Sequence, residues 1–533
     1  MPIHFPLILL LFFFSGATAL IYEVLWLKEL GLLFGNASYA MATTLAAFFL
    51  GLAVGGDHWG NRVQSYRNPL RLYGMLELAV AICAAGYFFI LKGYALLYPY
   101  LFNLFGDNRI LFTTVKFGLS LMILFPPAYF MGGTLPVISH CVVRQAAQLG
   151  HKVSLLYAVN TLGAVAGVFL AGFILPPVLG FSKSYLTAML ITALIAILAI
   201  AVSRDQSFQT QKSKPHLKTE NDDFLSLKIL AFLSGMAMLA LQVLWGRMFS
   251  QVLQNSVYTF SIILMAFLFS MALGGLLANR LMKLRLDQHL SMLVLLLGGA
   301  VLVALTPFEF IWLTDDLLYI GSNEGWNEYV IQVMLKAFLI MGPPLILLGS
   351  IFPFLIKLSE KDHPVAGKIV GQLAAINTAG AIAGSILAGF IILDYLGLWS
   401  GIRLIAMIYA LAAWLWLDRR RFQPAYTGYF PALIILLLVS FLDTAKLPVV
   451  KVDPVIDEES LLEAWEGSSG TVAVIRRGEH LKIKVNNFYT LGGTGSYELE
   501  QFQGRLPVML HTNPRSVYVL GLGTGITAGA SLS

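Results

Sequence analysis

Charge is what this sequence has least of. Of 533 residues, 35 are Lys or Arg and 29 are Asp or Glu, so charged residues make 12% of the chain against 58% hydrophobic ones. A soluble globular domain carries roughly 25% charged residues. The shortfall excludes a soluble enzyme, a disordered chain and a nucleic-acid binder as the main identity. Cysteine is nearly absent. Cys83 and Cys141 both lie in or beside apolar stretches, without the spacing of metal ligands, so no metal site is expected. The first residues also lack the Lys or Arg that opens a secretory signal, although Ala17-Thr18-Ala19 imitates a cleavage site.

What is present is a dozen apolar runs near spanning length, such as 186–202 and 290–305. A helix crossing the bilayer core needs about 20 mostly apolar residues. The expected architecture is a polytopic α-helical membrane protein embedded in a lipid bilayer.

The membrane part is written twice. Shifted by 219 residues, 11–56 falls on 230–275 without a gap, with 16 identities in 46. There "SGATALIYEVLW" (15–26) overlies "SGMAMLALQVLW" (234–245). Shifted by 217, 126–180 falls on 343–397 with 21 identities in 55, "NTLGAVAGVFLAGFI" (160–174) over "NTAGAIAGSILAGFI" (377–391). A segment that recurs in mid-chain is not a cleaved leader, so the first run reads as a retained helix.

Each half reads as six spans, with cores at 5–27, 37–56, 70–92, 111–143, 153–176 and 184–203, then 225–246, 256–278, 289–313, 330–356, 366–394 and 401–417. Half 1 is thus 1–203, a linker 204–224, and half 2 225–417. An even number of spans makes the repeats parallel, as in the halves of major facilitator transporters. Pro126-Pro127 and Pro343-Pro344 should kink or break both fourth helices. Loops after even-numbered spans hold most of the basic residues, including Arg62, Arg144, Lys212, Arg280, Lys357 and Arg419. Opposite loops hold only Lys28, Arg109, Lys183, Arg247 and Arg403. The amino terminus is therefore expected in the cytoplasm, and the chain in a bacterial inner membrane. A thirteenth apolar segment, 427–445, is short and carries Pro431, but Arg419-Arg420-Arg421 before it favours insertion. If it spans, the carboxyl-terminal tail lies outside the cell; if it is interfacial, the tail lies inside.

From Lys446 the composition changes: 8 basic and 9 acidic residues stand in the last 88. Residues 471–477 and 480–485 alternate as strands around Gly478-Glu479, a hairpin. Residues 491–495 read as a loop, and 499–511 has helical spacing. A buried strand at 516–520 should then feed a glycine loop, Gly521-Leu522-Gly523-Thr524-Gly525, and a helix. That strand–loop–helix order is the nucleotide-loop context of an α/β fold. Glycine permits close backbone approach, and helix-start amides meet polar ligand groups.

Residues 505–530, "RLPVMLHTNPRSVYVLGLGTGITAGA", resemble the entry to the Rossmann-like domain of spermidine synthases, and the hairpin before them resembles that family's small β-domain. "SGATALIYEVLW" resembles the first helix of members fused to a major-facilitator-like bundle. The resemblance implies a truncated S-adenosylmethionine-type domain at 446–533. It implies decarboxylated S-adenosylmethionine or S-adenosylmethionine at Gly521, Leu522, Gly523, Thr524 and Gly525, an acceptor amine near Gln501 and His511, and catalytic residues beyond Ser533. The intact parent would transfer an aminopropyl group to an amine. Thr524 stands where soluble members have Asp, and Leu499-Glu500-Gln501-Phe502 replaces their Tyr-x-Glu-Met, which puts putrescine in doubt as acceptor. The alternative is a transporter of polyamine or another small solute with a degenerate sensing domain. A third reading is a methyltransferase acting on a membrane-borne substrate. A homodimer is compatible with each.

Within the spans, ionisable and amide groups mark a cavity or a structural bond. Glu23 and its repeat mate Gln242, Glu77, Asp394, and the twin Asn160 and Asn377 form the candidate set. A polycation would want Glu77 and Asp394. The asparagines, beside Gly163 and Gly380, suit close helix packing better than solute contact. Trp26 and Trp245, each followed by a basic residue, suit interfacial anchors better than a binding box.

Overall fold

The computed structural model describes residues 5–34, 38–106, 108–143, 148–203, 222–254, 256–284, 286–321, 325–361, 366–416, 434–435, 437–453, 458–467, 470–487 and 489–532. Most of the 204–224 linker and the beginning of the 427–445 segment lie outside those residues.

The first half holds α1 (Phe5–Phe34), α2 (Ser38–Arg62), α3 (Pro69–Phe105), α4 (Arg109–Val142), α5 (Leu149–Phe169) and α6 (Phe181–Ser203). The second holds α7 (Asp222–Phe249), α8 (Val257–Lys283), α9 (Gln288–Leu313), α10 (Trp326–Gly349, continuing as Ile351–Leu358), α11 (Ala366–Leu387) and α12 (Leu393–Trp416). Among the described residues, ten helical stretches are long and apolar enough to cross a membrane; one of them, Ala366–Trp416, contains both α11 and α12.

The proline pairs do not end their helices. α4 runs unbroken through Pro126, Pro127 and Pro136, and α10 passes Pro343 and Pro344 before its interruption at Ser350. The breaks lie elsewhere and repeat. α5 and α11 each pass into a five-residue π-helical turn, Leu170–Ile174 and Ala388–Ile392. Each then reaches a glycine with positive φ, Gly180 (77°) and Gly397 (72°). Only glycine adopts that backbone without strain, so the reversal between spans is placed by it.

Backbone contact holds each half together. A Cβ on Gly163 would stand 1.9 Å from the Phe13 carbonyl oxygen, and one on Gly380 2.0 Å from that of Phe232. Small residues at these crossings let α1 meet α5, and α7 meet α11, main chain to main chain. Between the halves, Ser154 Oγ on α5 donates to the Gly275 carbonyl on α8 at 2.6 Å. The equivalent seam joins α2 to α11, where a Cβ on Gly371 would meet the Gly56 carbonyl oxygen at 2.4 Å. At the amino-terminal face the fourth helices also reach across. The end of α10 packs Phe352 on Tyr157 of α5 (6.0 Å between ring centroids), and α11 presses Gly367 against Pro136 and His140 of α4.

Beyond α12 the chain returns beside it. Val439 is buried, and Arg403 Nη1 donates to the Leu442 carbonyl at 2.9 Å. A four-stranded antiparallel sheet follows in the order β1 (Glu459–Gly467), β2 (Gly470–Arg477), β3 (His480–Val485), β4 (Tyr489–Gly493), then α13 (Tyr497–Leu510) and a short α14 (Ile526–Ala530). The hairpin stands at its expected place. The expected loop at 491–495 is instead the end of β4 and a 3-10 turn, because Gly492 and Gly493 pair with Ile483 and Lys482. The buried strand expected at 516–520 is also corrected. Tyr518 and Leu520 are each 88% exposed, and the segment joins no sheet. Extended chain becomes a strand only where a neighbour pairs its N–H and C=O groups, and no neighbour lies beside it among the described residues.

Candidate functional site

The twin asparagines bond backbone across the seams. Asn160 Nδ2 donates to the Phe12 carbonyl at 3.0 Å, and Asn377 Nδ2 to the Ala231 carbonyl at 2.9 Å. The twin tryptophans lie inside the bundle rather than at its interface, which corrects the anchor expectation. Trp26 is 2% exposed and donates to the Tyr185 hydroxyl at 3.2 Å; Trp245 is fully buried and donates to Thr306 Oγ1 at 3.2 Å. Around Trp26 the rings of Tyr22, Phe48, Tyr87 and Tyr185 gather within 6.5 Å. Sequence reasoning missed this cluster. Its signal was the tyrosine count of the first half, where the second carries Leu241 and Ile402 at the positions equivalent to Tyr22 and Tyr185.

Glu77 and Asp394 are not brought together. Glu77 is buried on α3 and accepts from Ser15 Oγ on α1 at 2.6 Å, which ties those two helices. Asp394 is exposed at the opposite membrane face, 3.4 Å from where a Cβ on Gly467 of the sheet would stand. A shared carboxylate site for a polycation is not formed by this pair.

Glu23 and Gln242 are placed differently. At 100° per residue, α1 turns Ser15, Tyr22 and Trp26 toward α3 and α6, and Phe13, Gly16 and Ala17 toward α5. Leu10 and Phe14, 52% and 41% exposed, face outward. Glu23 falls in the remaining sector, opposite them, between the α5 contact and the α3–α6 contact. Gln242 has the same position on α7. Both are half-buried, and neither has a hydrogen-bond or ion-pair partner among the described residues. An unpaired carboxylate and an unpaired amide at depth imply polar surroundings such as a water-filled cavity.

In the tail, Gly521, Gly523 and Gly525 adopt φ of 85°, 56° and 79° and lead into α14. Gly521 and Leu522 are exposed, and a Cβ at Gly521 or Gly525 would meet nothing within 4 Å. Among the described residues the loop is an open turn without the walls of a nucleotide pocket. Thr524 donates its hydroxyl to Glu500, which also accepts from Ser496 Oγ at 2.6 Å and the Gly493 amide at 3.1 Å. Burial pushes the Glu500 carboxyl up, but these three donors hold it below its ordinary value. The two expected acceptor-side residues make local bonds. Gln501 Nε2 donates to the Tyr497 hydroxyl at 2.7 Å, and His511 Nδ1 accepts from the Asn513 amide at 3.1 Å. A separate cleft of about 520 Å³ opens between the β2–β3 turn and β4, lined by Glu458, Arg477, His480, Lys482 and Ser496 among others. No cluster of His, Cys, Asp and Glu suited to a metal occurs among the described residues.

No protein-family model and no curated protein matches the chain. Solved structures do. The human organic anion transporter MFSD10 (TETRAN) superposes with a TM-score of 0.50 at 13% identity, covering 77% of this chain and 98% of its own. An E. coli fucose:proton symporter gives 0.48 at 14% identity (77% and 96%), and a proton:xylose symporter of the major facilitator superfamily 0.49 at 13% (76% and 94%). The chain is an integral membrane protein whose bundle has the major facilitator fold, with a small antiparallel sheet at its carboxyl end. The aminopropyl-transfer reading is corrected by these findings. Most of the chain's length has the major facilitator fold, and among the described residues the tail holds a small antiparallel sheet and an open glycine turn.

Proposed function

We propose that the protein is a membrane transporter that moves a small solute along a path between its two halves, working as parallel six-helix repeats about an axis along the membrane normal. The observation that carries this is the Glu23–Gln242 pair: equivalent positions of the repeat, both half-buried at depth, both without protein partners among the described residues. The main-chain seams inside each half, α1 on α5 and α7 on α11, support the reading, because they keep each half rigid, while the halves meet along the α5–α8 and α2–α11 seams. The major facilitator fold supports it as well. One carboxylate and one neutral amide at equivalent positions suit a cationic amine better than an anion. The loop-charge bias supports a cytoplasmic amino terminus and an inner membrane as the location.

The test is uptake into liposomes carrying the purified full chain, with putrescine and glucose as probes. Uptake of putrescine is expected, lowered at least tenfold in Glu23→Gln with the thermal unfolding profile unchanged. Uptake unaffected by both Glu23→Gln and Gln242→Ala overturns the assignment of the path.

A further inference from the structure

The polar contacts that tie the sheet and its leading segment to the bundle go to the second half. Arg247, at the end of α7, donates to Asn486 Oδ1 at 2.7 Å and to Thr471 Oγ1 at 2.8 Å. Glu466 of β1 accepts from the Leu398 amide at 3.3 Å, where α12 restarts after Gly397. Trp399 Nε1 donates to the Pro448 carbonyl at 3.2 Å, and Lys451 Nζ to the Asp315 carbonyl, between α9 and α10, at 2.7 Å. No hydrogen bond from the sheet to the first half occurs among the described residues.

These contacts also fix a side. Odd-numbered helices leave the amino-terminal face, so the ends of α7 and α9 and the start of α12 all lie at the opposite face. Trp416, at the other end of α12, donates to the His289 carbonyl at the start of α9, on the amino-terminal face. By Leu442 the chain is back beside Arg403, at the opposite face. Trp416 and Leu442 therefore lie toward opposite faces of the bundle.

We infer that the sheet module stands on the face opposite the amino terminus and travels with the second half as one rigid body, swinging over the mouth of the solute path. The mechanical argument is direct. α7 carries Gln242 and Arg247 five residues apart, about 7.5 Å along the axis at 1.5 Å per residue. The bond that holds the module thus sits two turns or less from the path, on the same rigid helix. A rotation of the halves against each other leaves all these contacts intact and displaces the module from the first half only. The halves touch across the amino-terminal face through α10 on α5 and α11 on α4, so the transporter reading puts the mouth on the module's side. The rigid-body motion rests on the transporter reading; the side and the one-sided attachment do not.

Two measurements on the full chain test this, in a background with Cys83 and Cys141 replaced by Ser. First, a reporter fused after Ser533 is expected on the side opposite one fused before Met1; the same side overturns the inference. Second, spin labels are placed at Glu479→Cys on the sheet, Leu318→Cys on the second half and Asn108→Cys on the first. The 479–318 distance is expected to be single and unchanged by putrescine or glucose, while the 479–108 distance changes in step with 108–318. Arg247→Ala is expected to broaden the 479–318 distribution several-fold. A 479–318 distance that shifts with solute, or one indifferent to Arg247→Ala, overturns the rigid attachment. A 108–318 distance constant under every solute instead removes the transporter reading and the swing with it, while the side and the attachment are still decided by the reporter and the 479–318 pair.

Discussion

Replacing Gly163 by Ala puts a single methyl group into the α1–α5 seam, and the geometry states what it meets. The added Cβ would stand 1.9 Å from the Phe13 carbonyl oxygen, whereas ordinary contact begins at 3.4 Å, so the helices must part by about 1.5 Å at the crossing. Overpacking of that kind costs about 1–3 kcal/mol. One turn away, the Asn160–Phe12 bond at 3.0 Å is stretched with it, and an interhelical bond in a membrane protein averages about 0.6 kcal/mol. Against this, Ala improves on Gly in a helix by about 0.8–1 kcal/mol. The expected result is a net loss of about 0.6–2.8 kcal/mol, measured by unfolding in mixed detergent and SDS. Gly86→Ala is the control: nothing stands within 4 Å of its new Cβ, so it keeps the propensity gain alone. Gly380→Ala in the second half meets Phe232 at 2.0 Å and should match Gly163→Ala. If Gly163→Ala and Gly86→Ala unfold alike, the backbone-seam argument is wrong.

Two further outcomes are expected. Burial pushes the Glu459 carboxyl up, but Lys482 and Lys484 beside it hold it below its ordinary 4.5. Its contribution to the sheet is then complete above that value and lost as pH falls through the lowered one. Glu459→Gln should flatten this acid limb in the fluorine signal of 5-fluorotryptophan at Trp465, and an unchanged acid limb refutes the role. Trp245→Phe removes the bond to Thr306, whose hydroxyl still donates to the Val303 carbonyl, for about 0.5–1.5 kcal/mol in the same detergent unfolding; an interfacial anchor at that position has no such bond to lose.

The bundle was legible because the bilayer demands it: long apolar runs and a recurring pattern follow from the solvent. Gly163 and Gly380 stood out for the same reason, since close packing in a membrane selects small residues. Trp26 misled because a Trp followed by Lys28 signals an interface only when its indole cannot find a partner inside, and Tyr185 is that partner. Glu77 and Asp394 misled because both are acidic residues in apolar stretches, and nothing local told one packed against Ser15 from one at the rim. The strand at 516–520 failed for a different reason. Its apolar run is real, but pairing is a property of neighbours and not of the segment. The relation of Glu23 to Gln242 was visible from the repeat, while their lack of partners needed the rotation of α1 to be known.

The seams also bear on how the two halves came to differ. Where helices touch through carbonyl oxygens and Cα atoms, the contact requires only that a side chain be missing. It places no demand on the side chains that face other ways. The first half could therefore gather tyrosines around Trp26 and place a carboxylate at Glu23 while the second kept Leu241 and took Gln242, with the architecture of both undisturbed. A duplicated bundle joined in this way inherits its geometry strictly and its chemistry hardly at all, which frees two matched frames to carry unlike residues at matched positions.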